Sequence, residues 1–222
     1  MRKMKLEKQA DLLELFFNLI YHKGTTISYW DSIKSRLRSR LLNIRLNSKN
    51  VRFYGAPNRI VNFSRIQIGL NTVFGKGVLL AANTSYGGYS YTPFISIGKN
   101  CNFGDFLNLT AVNEIVIGNN VLTGRWVTIS DNAHGQFCRE DLCIPPQERK
   151  MFSKGRVVIK DNVWIGDKVT ILAGVEIGES AIIGANSVIT HDVPPFSIVA
   201  GCPARVLRRI ANDSGLTIVE ES

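Results

Sequence analysis

The sequence predicts an all-β fold, a parallel β-helix wound from six-residue repeats, with a helical appendage at its N-terminus. The main observation is an unbroken column of isoleucines at a spacing of six: Ile159, Ile165, Ile171, Ile177, Ile183 and Ile189. A small or β-branched residue stands two positions before each isoleucine, and glycine often follows the aliphatic position. A period of six differs from the helical period of 3.6, whereas an internal spacing of two suits one face of a strand.

Each hexad is therefore interpreted as one short strand followed by a turn. The glycine, asparagine and aspartate residues after the strands supply the backbone freedom that a regular corner requires. Three hexads close a triangular coil, and parallel stacking of coils buries the aliphatic columns in one continuous core. A row of hairpin strands would need antiparallel partners and variable turns, which six consecutive hexads without a slip do not offer.

The repeats divide the chain into three parts. Residues 1–50 form a helical and basic appendage, residues 51–210 form the β-helix domain, and residues 211–222 form a C-terminal tail. Two interruptions break the repeats, near 81–94 and 130–156. Insertions into a solenoid become loops that project from a corner, where function tends to collect.

Three strings resemble the hexapeptide-repeat acyltransferases, most closely the maltose, galactoside and polysaccharide O-acetyltransferases. They are VTISDNAHG at 127–135, VVIKDNVWIGDKVTILAGVEIGESAIIGANSVIT at 157–190 and DVPPFSIVAGCPARVLRRI at 192–210. The resemblance implies a left-handed parallel β-helix, a homotrimer, acetyl-CoA as co-substrate and a saccharide hydroxyl as acceptor.

Composition is consistent with a soluble or peripheral protein in the cytoplasm. No apolar run approaches the roughly 18 residues of a spanning helix, and no secretory signal is recognisable. The four cysteines fit no CxxC spacing and are interpreted as reduced thiols. The formal net charge of +9 is unevenly placed, because no acidic residue lies between Asp31 and Asp105. This basic third predicts either contact with an anionic partner, such as the inner face of a membrane, or a solvated surface.

Two helical segments are predicted in the appendage. One apolar face is formed by Leu6, Ala10, Leu13, Phe17 and Ile20, and the other by Ile33, Leu37, Leu41 and Ile44. These helices would cap the open end of the solenoid or lie on a membrane.

Transfer of an acyl group from a thioester to a hydroxyl requires a base for the hydroxyl proton. Of the three histidines, only His134 stands in an insertion directly after a hexad. The resemblance makes His134 the catalytic base, since VTISDNAH matches the strand that delivers the histidine of the family. Asp131 and Glu148 are the candidates for orienting its imidazole, and the sequence does not choose between them.

The resemblance also assigns the substrate-binding residues. Asn108 is similar to an asparagine that binds the acceptor sugar, and Glu148 is the second substrate-binding candidate. The positions matching those that line the coenzyme A groove are Trp164, Asp167, Ala185, Thr190, His191, Arg205 and Arg208. Family members often have lysine where this chain has His191, so a phosphate contact there would be weaker and dependent on pH.

Two other functions compete with O-acetyl transfer on a β-helix of this kind. Metal-dependent hydration on the same fold needs several histidines on neighbouring coils to hold zinc, and the three scattered histidines do not meet that need; no metal site is expected. A non-catalytic basic scaffold that binds a membrane or another anionic partner is the alternative, and the joint presence of His134, Trp164 and the C-terminal motif argues against it. Nucleic acid is not an expected partner.

Overall fold

The computed structural model describes residues 29–57 and 59–210, in which most strands belong to three parallel sheets. The first sheet contains β1 (Arg52–Phe53), β4 (Val73–Phe74), β9 (Asn102–Phe103), β12 (Leu122–Thr123), β17 (Trp164–Ile165), β20 (Ile182–Ile183), β22 (Ser197–Gly201) and the antiparallel β23 (Ala204–Arg209). The second contains β2 (Arg59–Val61), β5 (Leu79–Ala82), β10 (Asn108–Ala111), β13 (Thr128–Ser130), β18 (Thr170–Ile171) and β21 (Val188–Ile189). The third contains β3 (Ile66–Ile68), β8 (Phe94–Ile97), β11 (Glu114–Ile117), β16 (Val157–Ile159) and β19 (Glu176–Ile177).

The chain visits the three sheets in turn, which is the arrangement of a parallel β-helix. From β3 onward it passes from the third sheet to the first, then to the second, and returns to the third one coil further along the axis. We call the sheets the first, second and third face. The corner between the first and second faces is the first corner, that between the second and third is the second corner, and that between the third and first is the third corner.

The interior is filled by columns of identical or similar side chains. The six isoleucines of the sequence column are all buried, because the in-register pairing of parallel strands places each inward residue above its equivalent. Toward the N-terminal end, Phe53, Phe74 and Phe103 stack with ring centroids 4.9 and 5.0 Å apart. Burial of each such side chain contributes about 1.5–3 kcal/mol, so the columns supply the main stabilising term.

The third corner is held by a ladder of asparagines. Asn71, Asn100, Asn120 and Asn162 all have left-handed backbone, with φ between 56° and 61°. Each amide donates to the carboxamide oxygen of the next along the axis, at 3.2, 3.3 and 3.0 Å. Asparagine tolerates this backbone better than other non-glycine residues, and its amide satisfies its neighbour.

The helix α1 (Tyr29–Arg45) lies against β1, and it meets the solenoid through its polar side. Ser39 Oγ accepts from the backbone N–H of Phe53 at 2.9 Å, while the side chain of Asn43 accepts from Val51 N–H at 3.1 Å and donates to Val51 O at 2.8 Å. These side chains satisfy backbone groups on the edge of β1 that no strand pairs. The predicted apolar face from Ile33 to Ile44 points away from the solenoid.

The remaining elements are short and decorate the coils. They are a 3₁₀ turn (Phe63–Arg65), the strands β6 (Ser85–Tyr86), β7 (Tyr89–Ser90), β14 (Ala133–His134) and β15 (Met151–Phe152), and the single helical turn α2 (Arg139–Leu142). The predicted face from Leu6 to Ile20 and the tail 211–222 lie outside the described residues. Within the described ranges, no helix is long and apolar enough to cross a bilayer.

Candidate active site

Both insertions leave the solenoid at the second corner. The first connects β5 to β8 and contains the hairpin β6–β7, and the second connects β13 to β16 and contains β14, α2 and β15. One coil lies between them, in which β10 passes to β11 by a direct turn through Val112 and Asn113. The two insertions are therefore close enough along the axis to meet over that turn.

Asp131 is the residue that fixes this turn. Its side chain is fully buried, and its two carboxylate oxygens accept the backbone N–H groups of Val112 and Asn113, both at 2.9 Å. The side-chain amide of Asn132 donates to the same carboxylate at 3.0 Å. The structure thus uses Asp131 to hold the preceding coil, and no hydrogen bond joins it to His134 within the described ranges.

His134 is the last residue of β14, whose register pairs it with Met151 of β15. The side chain is exposed, and its ring packs edge-on against Tyr86 of the first insertion, with centroids 5.0 Å apart and an interplanar angle of 71°. Among residues 29–57 and 59–210 the imidazole nitrogens have no hydrogen-bond partner. The ring is therefore oriented by packing and is accessible to a hydroxyl from solvent.

Tyrosines of the first insertion hold the second insertion in place. Tyr91 Oη accepts the backbone N–H of Met151 at 2.9 Å, and Lys150 Nζ stands 5.7 Å from the centroid of Tyr89. The sequence shows three tyrosines in this insertion, Tyr86, Tyr89 and Tyr91, but the repeat pattern predicts no role for them. The tyrosines are visible in the sequence, but their contacts with the second insertion are not. Those contacts depend on loop conformation, which the six-residue repeat does not determine.

Glu148, the second orienting candidate, lies on the outside of the second insertion. Its side chain is exposed and its backbone N–H donates to Pro145 O at 2.9 Å. No hydrogen bond joins its carboxylate to His134 in the part of the chain that the structure describes.

A groove of about 300 Å³ lies at the first corner, beside Asn108. Phe106 and Trp126 line it and stack with ring centroids 4.0 Å apart. Both have left-handed backbone, with φ of 60° and 62°, an arrangement that costs about 1–3 kcal/mol for a bulky residue. The side-chain oxygen of Asn108 is buried and has no hydrogen-bond partner among the described residues. The groove therefore combines an aromatic wall with an unused acceptor, and sequence reasoning missed the two aromatic residues.

The predicted carrier residues fall into three places. Trp164 points outward from the first face with 52% of its surface exposed, in one row with Leu122, Ile182, Ile198 and Arg208. Arg205 is exposed on β23 of the same sheet. Asp167 and the exposed Ala185 lie at the first corner, where Asp167 accepts Arg125 N–H at 2.7 Å. Thr190 and His191 lie at the second corner, with 2.8 Å between Thr190 Oγ1 and His191 Nδ1.

These positions do not form one site within a single chain. In a triangular coil the second corner is opposite the first face, so His134 and Trp164 of one molecule lie on opposite sides of the solenoid. The described residues also contain no group of three or more His, Cys, Asp or Glu side chains placed to hold a metal ion.

The sequence and the fold have counterparts among known proteins. The family model described as bacterial transferase hexapeptide (six repeats) matches residues 156–191. A protein of Escherichia coli (strain K12) named as a lipopolysaccharide biosynthesis O-acetyl transferase, WbbJ, is 31% identical over 185 residues, which is 82% of this chain and 90% of that protein. The chain therefore belongs to the hexapeptide-repeat transferase family and is an acetyltransferase.

Three further proteins match part of the sequence or the fold. The galactoside O-acetyltransferase of Escherichia coli (strain K12) is 38% identical over 129 residues, 55% of this chain and 57% of that enzyme. The N-acyltransferase AntD of Bacillus cereus, solved with dTDP and 3-hydroxybutyryl-CoA, matches with a TM-score of 0.59 at 20% identity, over 76% of this chain and 86% of AntD. The hexapeptide-repeat acetyltransferase VCA0836 of Vibrio cholerae matches with a TM-score of 0.53 at 24% identity, over 96% and 94%. At these identities the two structures show the shared fold.

Proposed function

We propose that the protein transfers an acetyl group from acetyl-CoA to a hydroxyl of a saccharide, a surface-polysaccharide precursor or a simple sugar. The observation that carries the proposal is the exposed imidazole of His134, presented on a strand pair and packed against Tyr86. The names of the relatives support the reaction class, since they include sugar O-acetyltransferases.

His134 acts as the general base. Histidine is the side chain that most often takes the proton of a reacting hydroxyl in general base catalysis. As His134 takes the proton of the acceptor hydroxyl, the hydroxyl oxygen attacks the thioester carbonyl, and the C–S bond breaks when the tetrahedral intermediate collapses. The imidazolium then returns its proton to the leaving thiolate, giving the acetyl ester and free coenzyme A.

The groove beside Asn108 is the proposed acceptor site. The apolar C–H face of a pyranose ring packs well against an aromatic wall such as Phe106 and Trp126. The buried Asn108 oxygen offers an acceptor for a sugar hydroxyl, which removes the penalty of leaving that oxygen unpaired. Glu148 remains a second substrate-binding candidate, at the rim of the second insertion.

The working form is proposed to be a homotrimer. Since the second corner and the first face of one chain point in opposite directions, a neighbouring chain is needed to bring His134 near a Trp164. Cyclic symmetry repeats that contact three times. The donor would then lie between chains, held by Trp164, Asp167, Ala185, Thr190, His191, Arg205 and Arg208. The left-handed winding of the coil and a cytoplasmic location complete the proposal.

The test is a screen of acyl-CoA donors and saccharide acceptors with purified protein, following release of free thiol. His134→Ala is expected to lower kcat by about 10²–10⁴-fold and to leave acetyl-CoA binding, measured by calorimetry, unchanged. Near wild-type turnover in His134→Ala would remove the assigned role. If no acceptor yields thiol above the rate of hydrolysis, a non-catalytic scaffold becomes the better account.

Mixed assemblies test the shared site. An assembly of His134→Ala chains and Trp164→Ala chains is expected to recover activity that neither variant has alone, because some interfaces then contain both native residues. A monomer that is fully active at micromolar concentration, as judged by light scattering, would contradict the trimer.

A further inference from the structure

The helix α1 is amphipathic in the sense opposite to that of a packed helix. Its apolar residues Ile33, Leu37, Leu41 and Ile44 are 38%, 58%, 58% and 76% exposed. The side that meets the solenoid is polar, formed by Ser35, Ser39 and Asn43. At 3.6 residues per turn the two sides are about 160° apart, so the apolar stripe faces directly away from the solenoid.

The contact between α1 and the solenoid does not need the apolar stripe. The edge of β1 is satisfied by side-chain hydrogen bonds from α1, and beside this polar seam Leu42 and Leu46 pack against the core. The four outward aliphatic residues are not part of the core cluster that this cap covers. Such a stripe is unfavourable in water, which indicates that something covers it in the working protein.

Charge indicates what covers the stripe. Lys34 and Arg38 lie along one flank of it, and Arg36 and Arg40 lie along the other, at the spacings of a regular helix. Among the described residues none of these four has a salt-bridge partner, since the two ion pairs that occur there involve other residues. Aliphatic residues flanked on both sides by cations are typical of a helix that lies in the headgroup region of an anionic bilayer.

We propose that α1 docks the protein on an anionic lipid surface. The stripe enters the boundary of the acyl chains, and the flanking arginines and Lys34 reach the phosphates with their aliphatic stems along the stripe. A polyanion such as nucleic acid would pair with the cations but would leave the aliphatic residues exposed, so lipid is the better match. Because α1 lies at one end of the solenoid, docking leaves the faces and the second corner accessible.

One step rests on the homotrimer proposed above. Cyclic symmetry places three copies of α1 at the same end of the assembly, and three weak contacts then act together. Membrane binding itself is measured without acetyl transfer, so its failure and the failure of the proposed reaction are separate results.

The experiment is co-sedimentation of the full chain with vesicles of phosphatidylglycerol and phosphatidylcholine, compared with pure phosphatidylcholine, at low and high salt. We expect binding to the anionic vesicles that high salt weakens. Arg36→Gln with Arg40→Gln is expected to weaken binding roughly 30-fold, from about two lost cation contacts. Leu37→Ser with Leu41→Ser is expected to weaken it at least about tenfold, and the matched pair Leu70→Ser with Leu172→Ser to leave it unchanged.

Three results would overturn the proposal. The first is a full chain that does not sediment with anionic vesicles at low salt. The second is binding that depends on Arg36 and Arg40 but not on Leu37 and Leu41, which identifies a site for soluble polyanions; a DNA duplex that competes with the vesicles would agree with it. The third is a Leu37→Ser, Leu41→Ser variant with normal vesicle binding but a lower melting temperature or a smaller mass by light scattering, which means that protein covers the stripe.

Discussion

Replacement of Asp131 by asparagine separates the holding of the coil from catalysis. In the native protein the carboxylate accepts two backbone N–H groups in a fully buried place. Asparagine keeps one acceptor oxygen and turns an NH₂ group toward the other N–H, so one buried donor loses its partner. A hydrogen bond to a charged group contributes about 1.5–3 kcal/mol, and an unsatisfied buried donor costs about 1–3 kcal/mol. The expected loss is on the order of 3 kcal/mol.

The assay is thermal unfolding followed by circular dichroism. For a domain of this size 1 kcal/mol shifts Tm by about 2–4 °C, so Asp131→Asn should melt about 6–12 °C below the native protein. The matched control is Asp105→Asn, because Asp105 accepts one exposed N–H, that of Lys76, and its loss should cost only about 0.5–1.5 kcal/mol. A Tm within 2 °C of the native value, together with a shifted pH–rate profile, would mean that Asp131 serves His134 and that this reasoning is wrong.

Three other expectations test the coils. Gly104→Ala should abolish or severely reduce folding, since its Cβ would lie 2.3 Å from backbone of the next coil. Gly88→Ala has open space and should lose only about 1 kcal/mol of stability through its positive φ. Comparable melting temperatures of the two variants would contradict this. Burial raises the pKa of the Cys101 thiol, so a thiol reagent at pH 8 should label the other three cysteines first and Cys101 only on unfolding. Hydrogen bonds from Asn119 lower the pKa of Asp161. The contribution of this carboxylate to folding stability is therefore complete above about pH 4 and is lost as pH falls through the lowered value. The Tm difference between the native protein and Asp161→Asn should shrink in acid, and a constant difference would refute this.

The six-residue period predicted the features of the fold that repeat from coil to coil. The inward isoleucines, the three-sided coil and the two places where the repeat breaks all follow from it, because stacking in register copies each position onto the next. What it could not predict depends on single contacts. Asp131 looked like a partner for His134 because it is near in sequence, yet its geometry serves another coil.

The orientation of helix α1 is a second feature that the sequence pattern did not predict. Its apolar stripe was visible in the sequence, and apolar stripes usually face a core. The edge of β1 needed hydrogen-bonding groups instead, so Ser39 and Asn43 took the inner side. Sequence periodicity identifies the apolar residues of the helix. It does not predict which side of the helix packs against the solenoid, because that depends on the hydrogen-bonding groups of the surface it covers.

The direct turn at Val112 and Asn113 also acts as a spacer. It separates the two insertions by one coil, so the contact between Tyr86 and His134 spans two strand spacings, each about 4.8 Å along the axis. The separation of the two insertions along the axis can therefore change only in whole steps, by adding or removing a coil. Within one such step, only the lengths of the two loops remain to adjust how Tyr86 meets His134. Coil number is then a coarse control, and loop length a fine one, over the position of the imidazole.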